Sequence, residues 1–379
     1  MLIYLSPILA IFVFLVAIFP LKVNRWWKLL IFGILLCVSQ KYFILYLFGG
    51  PVFFAPRLPR GVMLFSAWIY AVLIAWFAML LFSVIVRGIV RGIVHIRKKT
   101  MPENWKKWIF GSNFALLGIA IFCTTLGIYW GTALPEVRER TIYLNDLPAE
   151  ADGMKIALLA DLHIDYITRP EFIREIVSRT NAARPDLIAV VGDFVDGTVE
   201  LCGEKVALLN DLKAPYGVWG VPGNHEYYSG YHQWMSFLEQ KAGVNMLPNH
   251  SVRLSNGVYL SGTTDQGAKR FGEEIPSPER AKHPRMNPED CGILLAHNPG
   301  LAHKAKSFYD LQLSGHTHGG MILGMDLLVR QMNKGFVSGL YQVGNMQLYL
   351  TNGTCIWSGF PIRFGRPSEI ALITLKKRK

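Results

Sequence analysis

Lys155-Ile-Ala-Leu-Leu-Ala-Asp161-Leu-His163 decides the fold of the downstream part of the chain. An unbroken apolar run of strand length ends on two polar side chains able to bind metal, so it reads as a buried strand carrying Asp161 and His163 at its C-terminal end. The same construction recurs four times. Leu187–Val191 leads into Gly192-Asp193-Phe-Val-Asp196, and Gly217–Val221 into Pro222-Gly223-Asn224-His225-Glu226. Gly292–Ala296 leads into His297-Asn298-Pro299, and Asp310–Ser314 into Gly315-His316-Thr317-His318-Gly319-Gly320. Amphipathic stretches such as Pro170–Ala183 and Tyr231–Ala242 separate the runs, which is the punctuation of an α/β fold.

Open α/β sheets place ligand crevices at the carboxyl ends of their strands, so five strands ending in Asp, His or Asn predict one convergent site. In extended backbone, residues i and i+2 point the same way, which pairs Asp161 with His163 and His316 with His318. Gly192, Gly223 and Gly315 permit sharp turns beside these ligands. A single Asp after a strand is commonly a turn or cap, and a single His is commonly a surface or satisfied core residue. Five such endings in order are not explained that way. His95, His232, His250, His283 and His303 lack a comparable setting and read as ordinary.

The first third has a different character. The 379-residue chain is 51% hydrophobic and carries 39 Lys/Arg against 27 Asp/Glu. Thirteen of the basic residues and only one acid, Glu103, precede residue 136; beyond it the two signs balance at 26 each. The net +12 therefore belongs to residues 1–135, and no nucleic-acid partner is expected for residues 136–379. Four apolar runs, 2–20, 29–49, 61–86 and 108–130, approach the roughly 20 residues that a bilayer-spanning helix needs. Gln40 and Lys41 interrupt the second, which predicts a broken or re-entrant segment there. The segment Arg87–Lys107 is the most basic loop and is expected to stay cytoplasmic, which puts residues 136–379 on the outer, periplasmic face of the inner membrane. Met1–Ser6 has no basic residue, unlike the start of a cleaved signal peptide. The five cysteines form no CxxC pair, so neither a zinc ribbon nor a disulfide framework is expected.

The blocks Asp161-x-His163, Gly192-Asp193-x-x-Asp196, Gly223-Asn224-His225-Glu226, His297 and Gly315-His316-x-His318, in that order, resemble the calcineurin-like metallophosphoesterase superfamily. The resemblance covers about residues 150–375, and Tyr309–Gly320 with Gly359-Phe-Pro-Ile-Arg363 is similar to its bacterial membrane-associated branch. It implies two packed mixed β-sheets flanked by helices, here preceded by the all-α transmembrane region. It further implies two divalent metal ions: Asp161, His163 and His318 would hold one, Asn224, His297 and His316 the other, and Asp193 would bridge them. His225 resembles the proton donor, with Asp196 and Glu226 supporting the groups around the metals. Mixed nitrogen and oxygen ligands suit Mn, Fe or Zn better than Mg or Ca. Two such ions let a metal-bridging hydroxide attack phosphorus in line. Met321 and the turn Thr354-Cys355-Ile356-Trp357 depart from the branch's pattern, which bears on substrate choice.

The expected activity is hydrolysis of a phosphate ester or pyrophosphate, with a lipid-linked envelope substrate suggested by membrane location. A non-catalytic scaffold and a membrane sensor or transport module are the alternatives. Met321–Phe336 reads either as an amphipathic segment facing lipid head groups or as core, and Asp265–Cys291 as a long loop bordering the cleft. Cys355 has no neighbouring base in sequence and reads as packing.

Overall fold

The computed structural model describes residues 2–49, 56–287 and 290–378. They cluster into two compact units, Met1–Tyr129 with Gly359–Ile362, and Trp130–Ser358 with Arg363–Lys379.

The first unit is helical: Leu2–Val13 running into a π-helical turn Phe14–Ile18, then Arg25–Ser39, Lys41–Gly49, Arg60–Ile96 and Trp105–Gly131. The last two are long and apolar enough to cross a membrane. The 29–49 run is instead a pair of helices bent by 65° where Gln40 interrupts them. The first run gives only the shorter apolar helix Leu5–Ile18, which at about 1.5 Å per residue falls short of a hydrocarbon core of about 30 Å. Four spans were expected; among the described residues two helices, or three if the bent pair counts as one, are long and apolar enough to cross. Lys41, the charge within the second run, is buried and its ammonium donates to the Gly359 carbonyl. Phe65, Phe82, Ile89 and Phe122 are turned outward, an apolar exterior that suits lipid rather than water.

The second unit contains two six-stranded sheets. The strands are β1 (Glu136–Leu144), β2 (Lys155–Leu159), β3 (Leu187–Val191), β4 (Val218–Val221), β5 (Asn245–Met246), β6 (His250–Arg253), β7 (Tyr259–Gly262), β8 (Gly292–Leu295), β9 (Leu311–Ser314), β10 (Gly339–Val343), β11 (Met346–Leu350) and β12 (Glu369–Lys377). One sheet runs β1-β12-β2-β3-β4-β5 and the other β10-β11-β9-β8-β7-β6. Within the first, β2 to β5 are mutually parallel; within the second, β7, β8, β9 and β11 are.

The unbroken apolar runs have a simple cause: both faces of each central strand are covered. Ile156 and Leu158 of β2 and Leu187, Ala189 and Val191 of β3 point between the sheets, against Ile293, Leu295, Leu311 and Leu313. The alternating residues Ala157, Leu159, Ile188 and Val190 face the helices Pro170–Ala182 and Tyr231–Gln240, packing on Ile173, Ile176, Trp234 and Leu238. Each buried Leu or Ile contributes about 1.5–3 kcal/mol, and a one-residue slip would exchange the two faces. Register is therefore fixed, and with it the residue at which each strand stops.

Candidate metal centre

The site is assembled by loops that continue the pairing of the strands before them. After β2 and β3 end, Asp161 N donates to Gly192 O (3.0 Å), His163 N to Asp193 O (3.0 Å), Ile164 N to Phe194 O (2.9 Å) and Asp196 N to Ile164 O (3.0 Å). From the second sheet, Gly315 N donates to His297 O at 3.1 Å, and His316 N reaches the Asp161 carboxylate at 3.0 Å. These bonds bring the loops after β2, β3, β8 and β9, four in all, to one place.

Two ligand groups result. Donor atoms of Asp161, His163 and His318 lie within 4.8 Å of one another, and so do those of Asp193, His297 and His316. A third grouping joins His163, Asp193 and His225. His163 Nε2 and His318 Nε2 approach to 3.2 Å, as do His316 Nδ1 and His297 Nε2. His297 Nε2 lies 3.1 Å from Asp193 Oδ2, and its Nδ1 is 2.8 Å from the Val191 carbonyl, a contact that makes Nδ1 the donor and leaves Nε2 facing the site. Six of the seven expected ligands fall in these groups, and Asn224 precedes His225 at the start of helix Asn224–Ser229.

Backbone conformation differs from the sequence expectation. Asp161 (φ 55°), His163 (φ 44°), Asp193 (φ 53°), His316 (φ 78°) and His318 (φ 49°) are left-handed rather than extended. His316 and His318 join different groups, while Asp161 and His163 share one. Left-handed backbone costs a non-glycine residue about 1–3 kcal/mol, and five such residues among the candidate ligands mark a loop shape held by its surroundings. Gly223 is part of that support, since a Cβ there would lie 2.2 Å from Asp193 Oδ1 and 2.5 Å from Asp193 N.

The supporting residues divide their work. Asp196 bonds His163 Nδ1 (3.1 Å) and also His225 Nδ1. Its loop is anchored by the buried Trp234, whose Nε1 donates to Gly197 O at 2.9 Å. Glu226 acts on backbone rather than on ligand side chains: it accepts from Asp193 N (3.0 Å), Phe194 N (2.7 Å) and Gly223 N (2.6 Å). His225, at the start of helix Asn224–Ser229, donates its backbone N–H to Asp193 Oδ1 at 3.0 Å and places Nε2 3.9 Å from Asp193 Oδ2.

The charges call for cations. Asp161, Asp193, Asp196 and Glu226 are all buried, and the ion-pair partners of Asp161, Asp193 and Asp196 among the described residues are histidines alone. Burial opposes ionisation of Asp193, yet the His297 and His225 rings hold its carboxyl well below the usual range. Burial also works against protonating His225, but Asp193 and Asp196 push it up to about 10. Burial and the neighbouring His297 bring His316 down to about 3, and burial and His163 lower His318 as well. The Asn224 Oδ1 and His318 Nδ1 atoms are buried with no hydrogen-bond partner among the described residues. Buried carboxylates, imidazoles turned nitrogen to nitrogen and an orphaned amide oxygen fit divalent cations.

Two residues named in the sequence were given no role at the site there. Arg363, fully buried, donates to the carbonyls of His318 (3.0 Å), Asn352 (2.8 Å) and Cys355 (2.7 Å), fixing the turn that carries His318. Asp265, three residues beyond β7, is buried with Oδ2 unpartnered among the described residues; the signal was a sixth strand ending in polar side chains, Thr263-Thr264-Asp265. The segment it opens is a long loop with short helical turns at Gln266–Phe271 and Pro278–Ala281, and residues 288–289 of it lie outside the described residues. Gly267 packs beside Asn224, so the loop does border the site. Burial pushes the Cys355 thiol up to about 12, which agrees with packing rather than nucleophilic chemistry. His232 forms an exposed pair with Glu273 at 2.8 Å, and none of the five histidines set aside above joins the ligand groups.

The calcineurin-like phosphoesterase family profile matches residues 154–320. An uncharacterized metallophosphoesterase of Helicobacter pylori is 36% identical over 285 residues, 74% of this chain and 73% of that protein. One from Campylobacter jejuni is 31% identical over 269 residues, covering 70% of each. A Danio rerio protein named as a transmembrane protein with metallophosphoesterase domain is 27% identical over 372 residues, 94% of this chain and 82% of that one. Profile and relatives together show that the chain belongs to the calcineurin-like metallophosphoesterase family.

Proposed function

We propose that this chain is a membrane-anchored phosphohydrolase with a dinuclear metal centre, cleaving a phosphate ester or phosphoanhydride of a lipid-linked envelope substrate. The observation that carries it is the pair of ligand groups, Asp161/His163/His318 and Asp193/His297/His316, together with the buried Asn224 oxygen, unpartnered among the described residues. In this reading Asp161, His163 and His318 would hold one cation, Asn224, His297 and His316 the other, and Asp193 would contribute to both. Two such ions, Mn, Fe or Zn, would supply Lewis acidity toward phosphate oxygens and lower the pKa of a water nucleophile.

The protein's own residues do the rest. Asp196 keeps a proton on His225 Nδ1 and so fixes the ring whose Nε2 hands its proton to the departing oxygen. Glu226 holds Asp193 in place through three backbone N–H groups. The apolar helices Arg60–Ile96 and Trp105–Gly131, whose adjoining ends and connection carry the basic residues of Arg87–Lys107, support an inner-membrane anchor with the catalytic unit on the outer face.

The test is hydrolysis of a chromogenic phosphodiester and monoester with Mn²⁺ by wild type and Asp193→Asn. Equal rates in both would sink the enzyme reading. A periplasm-dependent reporter fused after residue 379 checks orientation: silence overturns the outer-face assignment.

A further inference from the structure

Helix Met325–Met332 contains no buried residue. Leu323, Leu327, Leu328 and Met332 expose 56, 66, 58 and 76% of their surface. Met325, Leu328 and Met332, spaced i, i+3 and i+7, form one stripe. An ordinary surface helix turns such a stripe toward the core; this one turns it away. The attitude is fixed by polar contacts on the other side, where Asp326 pairs with Arg366 at 2.6 Å and Arg330 Nε donates to the Gly335 carbonyl at 2.9 Å.

Three features favour a lipid surface as what covers the stripe. Trp130, the last residue but one of the apolar helix Trp105–Gly131, packs its ring on Phe364 with centroids 5.4 Å apart, and the Phe364 carbonyl accepts from Leu323 N at 3.0 Å. The residue at which the chain leaves its membrane-length helix is thus two contacts from the start of Met325–Met332. Charge agrees: Asp326 is matched by Arg366, which leaves Arg330 and Lys334 as a cationic surplus suited to anionic head groups. Finally, the helix follows directly on the turn His318–Gly320, so one loop carries both a candidate ligand and the apolar stripe.

We propose that Met325–Met332 is an interfacial helix that lies in the head-group layer of an anionic leaflet and presents the phosphate of a membrane lipid to the adjoining metal centre. Its substrate half rests on the phosphohydrolase reading above; its docking half does not. An apolar helical face with basic flanks binds such an interface by burying the stripe while the cations meet lipid phosphates.

The test uses the full chain in vesicles of phosphatidylcholine and phosphatidylglycerol. In a Cys37→Ser, Cys123→Ser background, an environment-sensitive fluorophore is placed at Leu328→Cys or, as control, at the exposed Lys213→Cys, and nitroxide-labelled lipids are added. Docking predicts quenching at the first position and none at the second. Equal quenching at both, or a Leu328→Cys label shielded by a second copy in a dimer, overturns it. In parallel, Leu328→Glu with Met332→Glu is compared with wild type on a phosphorylated lipid in the vesicle and on a soluble nitrophenyl ester. The expected result is a loss of about tenfold or more on the lipid with the soluble rate unchanged. Equal losses or no loss overturn the substrate half. Quenching at Leu328→Cys in a protein inactive on every ester would leave docking standing and refute the phosphohydrolase reading instead.

Discussion

His163 and His225 are fixed to the same carboxylate: Asp196 bonds His163 Nδ1 through Oδ2 at 3.1 Å and His225 Nδ1 through Oδ1. One buried side chain thus sets the orientation of a candidate ligand and of the candidate acid. The protonated Nδ1 atoms direct both Nε2 atoms toward Asp193, at 3.8 and 3.9 Å from its Oδ2. Replacing Asp196 by Asn puts an N–H donor against one ring and disturbs the other through the same group. Asp196→Asn is expected to lower both metal content and activity by about 10–100-fold, the usual effect of losing a partner behind a ligand. Metal analysis and steady-state rates check it; unchanged metal content with unchanged activity would remove Asp196 from the centre.

His225→Ala should separate substrates by leaving group. A general acid contributes about 10²–10⁴-fold where the departing oxygen needs a proton, and far less where it leaves as a stable anion. The variant is therefore expected to lose alkyl-ester hydrolysis much more than nitrophenyl-ester hydrolysis. Rates across a series of leaving groups give the answer, and a uniform loss would assign His225 to metal binding.

Gly223→Ala tests the packing behind Asp193. The new Cβ falls 2.2 Å from Asp193 Oδ1 and 2.5 Å from its backbone nitrogen, and backbone cannot yield as a flexible side chain can. Overpacking of this kind costs about 1–3 kcal/mol, so a lower melting temperature together with lost metal is expected. Thermal unfolding with and without added Mn²⁺ measures both.

Metal binding should release protons near neutrality. Burial opposes protonation of His297 and His163, but Asp193 and Asp161 raise the first well above the ordinary value and Asp196 raises the second. Imidazoles must be neutral to ligate, so these two give up protons while His316 and His318, with lowered values, are already neutral. Apparent affinity therefore increases with pH. For the metal-free fold the sign is opposite: raised histidines contribute stability that is complete below their unfolded pKa, about 6.5, and is lost as pH rises through their folded values. Calorimetry of Mn²⁺ binding in two buffers of different ionisation enthalpy tests the first statement, and identical heats would contradict it.

Sequence alone determined the strands, the order of the ligand blocks and the asymmetry of charge. Strands that are covered on both faces must be continuously apolar, so β2, β3, β4, β8 and β9 could be read to within one residue, and the polar residue ending each was visible as a break in hydropathy. The bend at Gln40 was legible for the same local reason, because a polar residue beside a lysine stands out in an apolar run. Tertiary structure decided how the loops that carry the ligands meet. Backbone bonds between Asp161 and Gly192, His163 and Asp193, and Gly315 and His297 hold the loops together, and His316 and His318, two residues apart, join separate groups there. Those bonds join residues tens of positions apart, as do the contacts of Arg363 with the His318 turn and of Trp234 with the Asp196 loop. No local pattern encodes them, because each depends on where the packing of two sheets has already placed its partner.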